Sequence, residues 1–412
     1  MKYCIHTFGC RVNQADSFDM EEQLRARGGV AAPCDEADVV VVNTCTVTGA
    51  ADQGARNLIR RIARRNPSAR IVVTGCYATR EAEALASRPG VVRLVPNAGK
   101  NALVEEAWPL GEGEGHGGAP LGPGIMGRTA FPLRVQTGCD ETCAFCVIPS
   151  TRGASRSRPM ADVLAEAGRL AASGYKELWL VGVHLGSYGR DLGTGASLVD
   201  LLRALDRAPG DVTVRISSLE PMDCSREIVD LVAGSGRFAP HLHLPLQHGA
   251  DRVLTAMRRP YSAAFSRGLV EAIRARLPQA SIGADVMVGF PGESEADARE
   301  SERAIEALPL SYLHVFPYSD RPNTAAATMG PKVGPAVVKD RAARMREIGA
   351  GFSSRFIRSQ VGTVRPGLTI GDGTPVLTDN FLKVAVSPGL TRNTRVNVRI
   401  DEHSPQLVGT VV

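Results

Sequence analysis

Three cysteines crowd one short stretch of the chain. Cys139, Cys143 and Cys146 form a C-x3-C-x2-C set inside QTGCDETCAFCVIPSTRG (136–153). In a chain with nine cysteines, chance supplies about 0.004 triplets at any fixed spacing. Three thiolates on one tight loop can converge on a metal. Structural zinc wants a fourth ligand at short range, and the next cysteine and histidine downstream are only Cys224 and His184. A 4Fe–4S cluster held by three cysteines instead leaves one iron open to a ligand carrying an amine and a carboxylate, such as the methionyl end of S-adenosylmethionine. One electron passed into the sulfonium then cleaves a C–S bond and yields a 5′-deoxyadenosyl radical, while the protein supplies placement and redox tuning. Zinc and a redox C-x2-C pair are the competing readings.

Cys10, Cys45 and Cys76 lie far apart in sequence, but each follows a candidate strand, in HTFGC, VVVNTC and IVVTGC. Loops after consecutive strands of a parallel sheet share one edge, so these thiols can also converge. Three buried thiols are the plainer alternative. Burial alone does not place all three just past a strand end beside Gly, Thr or Asn, and a second three-cysteine iron–sulfur site is the expectation. Cys4, Cys34 and Cys224 read as packing residues. His6, His184, His241 and His243 read as satisfied core or strand-end histidines.

Positioning these groups requires a scaffold. Lys2–Thr7, Val39–Asn43 and Ile71–Thr74 read as buried strands, with helices over Ser17–Arg27 and Ala51–Asn66, which implies a parallel sheet with both faces covered. The run Pro109–Gly127 holds eight glycines and three prolines in nineteen residues and marks a flexible boundary. Beyond it, strands are expected at 133–136, 177–183, 212–217, 241–245, 282–288 and 312–316. Helices at 160–173, 198–208, 225–233 and 294–307 fall between them. This alternation predicts a partial (β/α)6 barrel with its chemistry at the strand C-terminal ends. From Phe352 onward, short β-type runs separated by Gly, Pro, Asn and Asp predict a small antiparallel β-barrel. The fold class is α/β, with domains at 1–105, 131–350 and 351–412 and a linker at 106–130.

Two three-cysteine sites flanking a linker resemble the radical S-adenosylmethionine methylthiotransferases. The likeness runs through TFGCRVNQADS (7–17), VVNTCTVTGAADQGARNLIRR (41–61), VVTGCYA (72–78), the 136–153 segment, RSRP (156–159) and VRISSLEP (214–221). It continues through HLHLPLQHGADRVLTAMRR (241–259), DVMVGFPGE (285–293) and HVFPYSDRPNTAA (314–326). The carboxy-terminal PVLTDNFLKVAV region is similar to the family's small RNA-binding β-barrel (TRAM). NTCTVT, GAADQGARNLIRR and RISSLEP resemble the branch acting on N6-threonylcarbamoyladenosine. The resemblance implies two 4Fe–4S clusters, held by Cys10, Cys45 and Cys76 and by Cys139, Cys143 and Cys146, with these six as the catalytic residues. It implies S-adenosylmethionine contacts at Phe145, Gly182, His184, Ser218 and Glu220. The implied substrate is adenosine 37 of a tRNA anticodon stem-loop, methylthiolated at C2, with flavodoxin or ferredoxin as electron donor and an unknown sulfur donor. The target C2–H is not acidic, so a carboxylate or His base has little to act on. Two departures stand out: His248 replaces the family's Ser after LPLQ and reads as an exposed polar substitution, and Asn323 replaces a Gly, which Asn can do at positive φ.

Lys and Arg number 48 against 43 Asp and Glu, a mild excess that permits a polyanionic partner. Arg56, Arg60, Arg61, Arg64 and Arg65 form one basic helix face, solvated by default and suited to tRNA phosphate. No apolar run reaches membrane-spanning length, and Met1-Lys2-Tyr3-Cys4 does not begin a signal peptide, so a cytoplasmic protein is expected. The alternatives are the same chemistry on isopentenyladenosine 37 or a ribosomal-protein aspartate, and a zinc-stabilised RNA-binding protein without catalysis.

Overall fold

The computed structural model describes residues 1–107, 121–403 and 406–412. Most of the Gly/Pro-rich linker, residues 108–120, lies outside them. Two compact units emerge. Unit 1 comprises Met1–Leu121, Thr137–Arg156 and Ser319–Ala327, and unit 2 holds the remainder. Among the described residues no helix is long and apolar enough to cross a membrane.

Unit 1 is built on β1 (Lys2–Thr7), α1 (Arg11–Ala26), β2 (Val30–Ala31), β3 (Val39–Thr44), α2 (Gly49–Arg65), β4 (Arg70–Gly75) and β5 (Val91–Val95). The strands form one parallel sheet in the order β2-β1-β3-β4-β5. β3 shows why both faces must be covered. Val40 and Val42 pack with Leu58, Ile59 and Ile62 of α2, whereas Val39 and Val41 pack with Met20 and Leu24 of α1. Burying each such aliphatic side chain contributes about 1.5–3 kcal/mol. Thr48 caps α2 by accepting from the Ala51 N–H at 3.2 Å. The order reverses between β1 and β3, so the crevice where such sheets bind ligands opens past their C-terminal ends.

In unit 2 six parallel strands follow: β6 (Phe131–Arg134), β7 (Glu177–Val181), β8 (Thr213–Ile216), β9 (His241–Gln247), β10 (Ser281–Val288) and β11 (Tyr312–Pro317). They form two three-stranded halves, β6-β7-β8 and β9-β10-β11, linked by isolated parallel bridges at Val214–Phe238 and Ser218–His243. Helices at Met160–Ala172, Leu198–Arg207, Arg226–Gly234, Ala263–Arg276 and Glu295–Glu306 connect them. Ser197 with Asp200, and Ser294 with Asp297, form capping boxes. After the long helix Pro335–Gln360 come β12 (Val364–Thr369), β13 (Pro375–Thr378), β14 (Lys383–Ala385), β15 (Arg395–His403) and β16 (Leu407–Val411). They close into a barrel, β12-β13-β14-β16-β15. Four of its pairings are antiparallel, and β14 meets β16 in parallel through Ala385 and Val408. Its loop Asp379–Phe381 packs on the larger barrel. Phe381 stacks on His241 at 4.3 Å between ring centres, and fully buried Arg215 donates to the carbonyls of Thr378 and Asp379 while pairing with Glu177.

Candidate metal centres

Unit 1 contains all six cysteines of the two sequence triplets. Cys10, Cys45 and Cys76 occur immediately beyond β1, β3 and β4, and Cys10 directly precedes α1. Gly9 has φ 88°, and a Cβ there would stand 2.6 Å from Cys45 Sγ, so only glycine lets the first loop approach the second thiol. Burial pushes the Cys45 thiol up to about 11, and the nearby Cys10 and Cys76 sulfurs add to that. A thiol so placed stays protonated until a metal takes the proton's place. Cys76 Sγ accepts from Asn97 Nδ2 at 3.4 Å.

Beneath these sulfurs runs a buried polar network that sequence reasoning missed. Asp16 accepts from Lys100 Nζ at 2.8 Å and from Arg152 at 2.9 Å. Asn13 donates to the carbonyls of Phe8 and Thr44, and Asn43 donates back to the Asn13 carbonyl. Burial acts downward on Arg152, and Asp16, then Cys76 and Cys10, hold it ionised. The readable signal was the set of polar residues Asn13, Asp16 and Ser17 on a helix buried at all three. A second node gathers on Asp52, which accepts from Thr46 at 2.7 Å, Arg80 at 2.9 Å and Arg321 at 2.7 Å. Arg321 and Asn323 belong to the distant segment 319–327, and Asn323 takes φ 66° as expected of a glycine substitute.

The loop 137–156 carries Cys139, Cys143 and Cys146, all half-buried and free of disulfides. Backbone N–H groups of Glu141 and Ile148 point at Cys139 Sγ (3.4 Å) and Cys146 Sγ (3.5 Å), the kind of N–H···S contact that tunes cluster thiolates. Gly138, at φ 73°, has the Ala154 carbonyl 1.9 Å from where a Cβ would stand, so the loop closes only with glycine there. Each set offers three thiols outside any disulfide, a donor set of the kind that would suit a 4Fe–4S cluster. Half-buried Phe145 sits within the same loop.

Four other expected contacts are in unit 2. Gly182 follows β7, and a Cβ there would stand 3.0 Å from Gln136 Oε1, the atom that accepts from the His184 N–H. The His184 ring is spent on Asp223, 2.7 Å from Nε2. Ser218 is exposed and bonds His243 Nδ1 at 2.8 Å. Burial raises the Glu220 carboxyl, and Arg259 opposes that by pairing with it.

Three expectations about single residues need correction. Cys4 and Cys34 pack against the core as expected, but they are joined in a disulfide, with Cα atoms 5.1 Å apart, because the segment before β3 returns alongside β1. His248 is buried, not exposed. It accepts the Ala250 N–H at 3.0 Å, and burial lowers its pKa to about 4, so it is a neutral structural group. His243 is the third, since its buried Nε2 has no hydrogen-bond partner. Cys224 is buried as expected, its thiol pushed up to about 12 by burial.

Two family models match. Residues 2–96 fit "Uncharacterized protein family UPF0004" and residues 133–305 fit the Radical SAM superfamily. The chain is 35% identical to the threonylcarbamoyladenosine tRNA methylthiotransferase MtaB of Aquifex aeolicus, over 93% of this chain and 96% of that one. It is 36% identical to the Bacillus subtilis protein of the same name, over 83% and 78%. With the tRNA-2-methylthio-N(6)-dimethylallyladenosine synthase of Parafrankia it shares 36% identity over 90% and 78%. Among solved structures, the radical S-adenosylmethionine methyltransferase TsrM of Kitasatospora setae superposes with a TM-score of 0.58 at 17% identity, over 79% and 77%, a likeness of fold.

Proposed function

Since the chain belongs to the radical S-adenosylmethionine tRNA methylthiotransferases, with S-adenosylmethionine and 4Fe–4S as its cofactors, we propose that it methylthiolates C2 of N6-threonylcarbamoyladenosine at position 37. The supporting observation is length. The chain spans 78–96% of the threonylcarbamoyladenosine relatives and 67–78% of the dimethylallyladenosine synthases, the two ranges meeting at 78%. The NTCTVT and RISSLEP text points the same way.

In this reading Cys10, Cys45 and Cys76 hold one cluster and Cys139, Cys143 and Cys146 the other. Bound cluster and S-adenosylmethionine supply the one-electron chemistry that an unactivated C2–H requires. The chain's own residues place and tune. Asn97 and the Glu141 and Ile148 amides donate to ligand sulfurs, and Arg152, held ionised by Asp16, brings positive charge to Cys76 and Cys10. Gly182 and the His184 backbone end β7, where the methionyl group would lie. Ser218, exposed and bonded to His243, would face the ribose, while Glu220 acts through Arg259. The working domains are 1–105, 131–350 and 351–412, joined by 106–130, with flavodoxin or ferredoxin as the electron source.

Nucleoside mass spectrometry of tRNA from cells with and without the gene is the test. Loss of the methylthio-threonylcarbamoyl nucleoside, with accumulation of its unthiolated precursor, is expected. Loss of the isopentenyl analogue instead would reassign the substrate, and an unchanged tRNA pool would redirect the search to a protein aspartate.

A further inference from the structure

One side-chain cluster in unit 2 has no part in the account above. Along β9 and β10 the even-numbered Leu242, Leu244, Ile282, Ala284 and Val286 are completely buried. Odd-numbered His243 and Asp285 therefore project from the opposite face. The β10–β11 register sets Asp285 beside His314. Asp285 Oδ1 lies 3.1 Å from His243 Nε2 and 3.1 Å from His314 Nδ1, and the three donor atoms all fall within 4.8 Å of one another.

His243 is 8% exposed. Its Nδ1 is bonded to Ser218 Oγ, yet its buried Nε2 has no hydrogen-bond partner and meets the Asp285 oxygen outside hydrogen-bonding geometry. The sequence expectation of a satisfied strand-end histidine therefore fails at this atom. In the tautomer that donates Nδ1–H to Ser218, Nε2 turns a lone pair toward a carboxylate, an arrangement that calls for a positive ion between them.

We propose that His243, Asp285 and His314 bind one divalent first-row metal ion, distinct from the cysteine sites. Two imidazoles and one carboxylate are a donor set for Fe(II), Mn(II), Co(II) or Zn(II), with positions left open to water or an oxygen-bearing ligand. Donors about 2.1 Å from a shared ion stand about 3.0–3.4 Å apart, which two of the three pairs already satisfy. The His314 side chain is 54% exposed and has room to turn inward for the third. Ser218 serves as a positioning residue by fixing the His243 tautomer.

The test uses the full chain, reconstituted anaerobically with iron and sulfide so that its cysteines are occupied, then titrated with Co²⁺ and followed by visible absorption. One cobalt per chain is expected, with d–d bands and no thiolate charge-transfer band. Affinity should fall about 10–100-fold in Asp285→Asn and His314→Ala and about tenfold in Ser218→Ala, with iron per chain unchanged in all three. Failure to bind cobalt, binding with thiolate bands, or equal affinity in Asp285→Asn and His314→Ala would each overturn the site.

Discussion

Cys45 illustrates how a single thiol reports on its surroundings. It is 5% exposed, pressed against Gly9, and raised to about 11 by burial, with a backbone hydrogen bond at Val47 acting in the opposite direction. If it holds a cluster, replacing the residue should be felt as lost iron. Two clusters correspond to about eight irons per chain, and Cys45→Ala or Cys139→Ala should each leave about half of them. Iron analysis with the visible spectrum checks this, and full retention in either variant would remove that cysteine from the ligand set. At this scale the sequence was most legible where spacing is local, as in Cys139–Cys146, or where a strand end announces a loop, as at Cys10, Cys45 and Cys76. It was illegible where two residues meet only through tertiary folding. Cys4 and Cys34 are 30 residues apart and bond, and His248 occupies a buried site beside Glu293, 4.0 Å away, that no local pattern discloses.

Among elements, the strands were read well because their apolar runs are short and bounded, VVVV in β3 being the plainest. α1 begins at Arg11, six residues before the expected start, since its buried face carries Asn13, Asp16 and Ser17 and so lacks an apolar stripe. β5, VVRLV, was missed because it is a partly exposed edge with an arginine at its centre. α2 matches its pattern. Leu58, Ile59 and Ile62 are buried, while Arg60, Arg61, Arg64 and Arg65 are exposed on the other side. If this face meets tRNA phosphate, Arg60→Glu with Arg64→Glu should weaken tRNA binding across sequences and reduce the slope of log affinity against log salt by about 2. Filter binding at several salt concentrations measures it, and an unaltered slope would exclude the helix from the interface.

For the molecule as a whole, the separate character of the carboxy-terminal barrel was visible in its composition, but its attachment was not. Arg215, in the middle of an ordinary strand pattern, is fully buried with Glu177 and reaches the Thr378 and Asp379 carbonyls. Arg215→Ala strands a buried carboxylate and should cost about 3–5 kcal/mol, with early proteolysis of residues beyond 360. Phe381→Ala, which leaves the ion pair intact, should cost less. Thermal melts and limited digestion distinguish this from a loosely tethered domain, for which both variants would behave as wild type. Also invisible in sequence was the assembly of unit 1 from three stretches, 1–121, 137–156 and 319–327. That division has a consequence during synthesis. All six cysteines have been translated by residue 146, while Arg321, which completes the Asp52 node, follows some 175 codons later. At about 5–20 residues per second, the nascent chain holds its thiols outside a finished unit for roughly 10–35 s, an interval in which oxidation or a stray metal competes with cluster delivery.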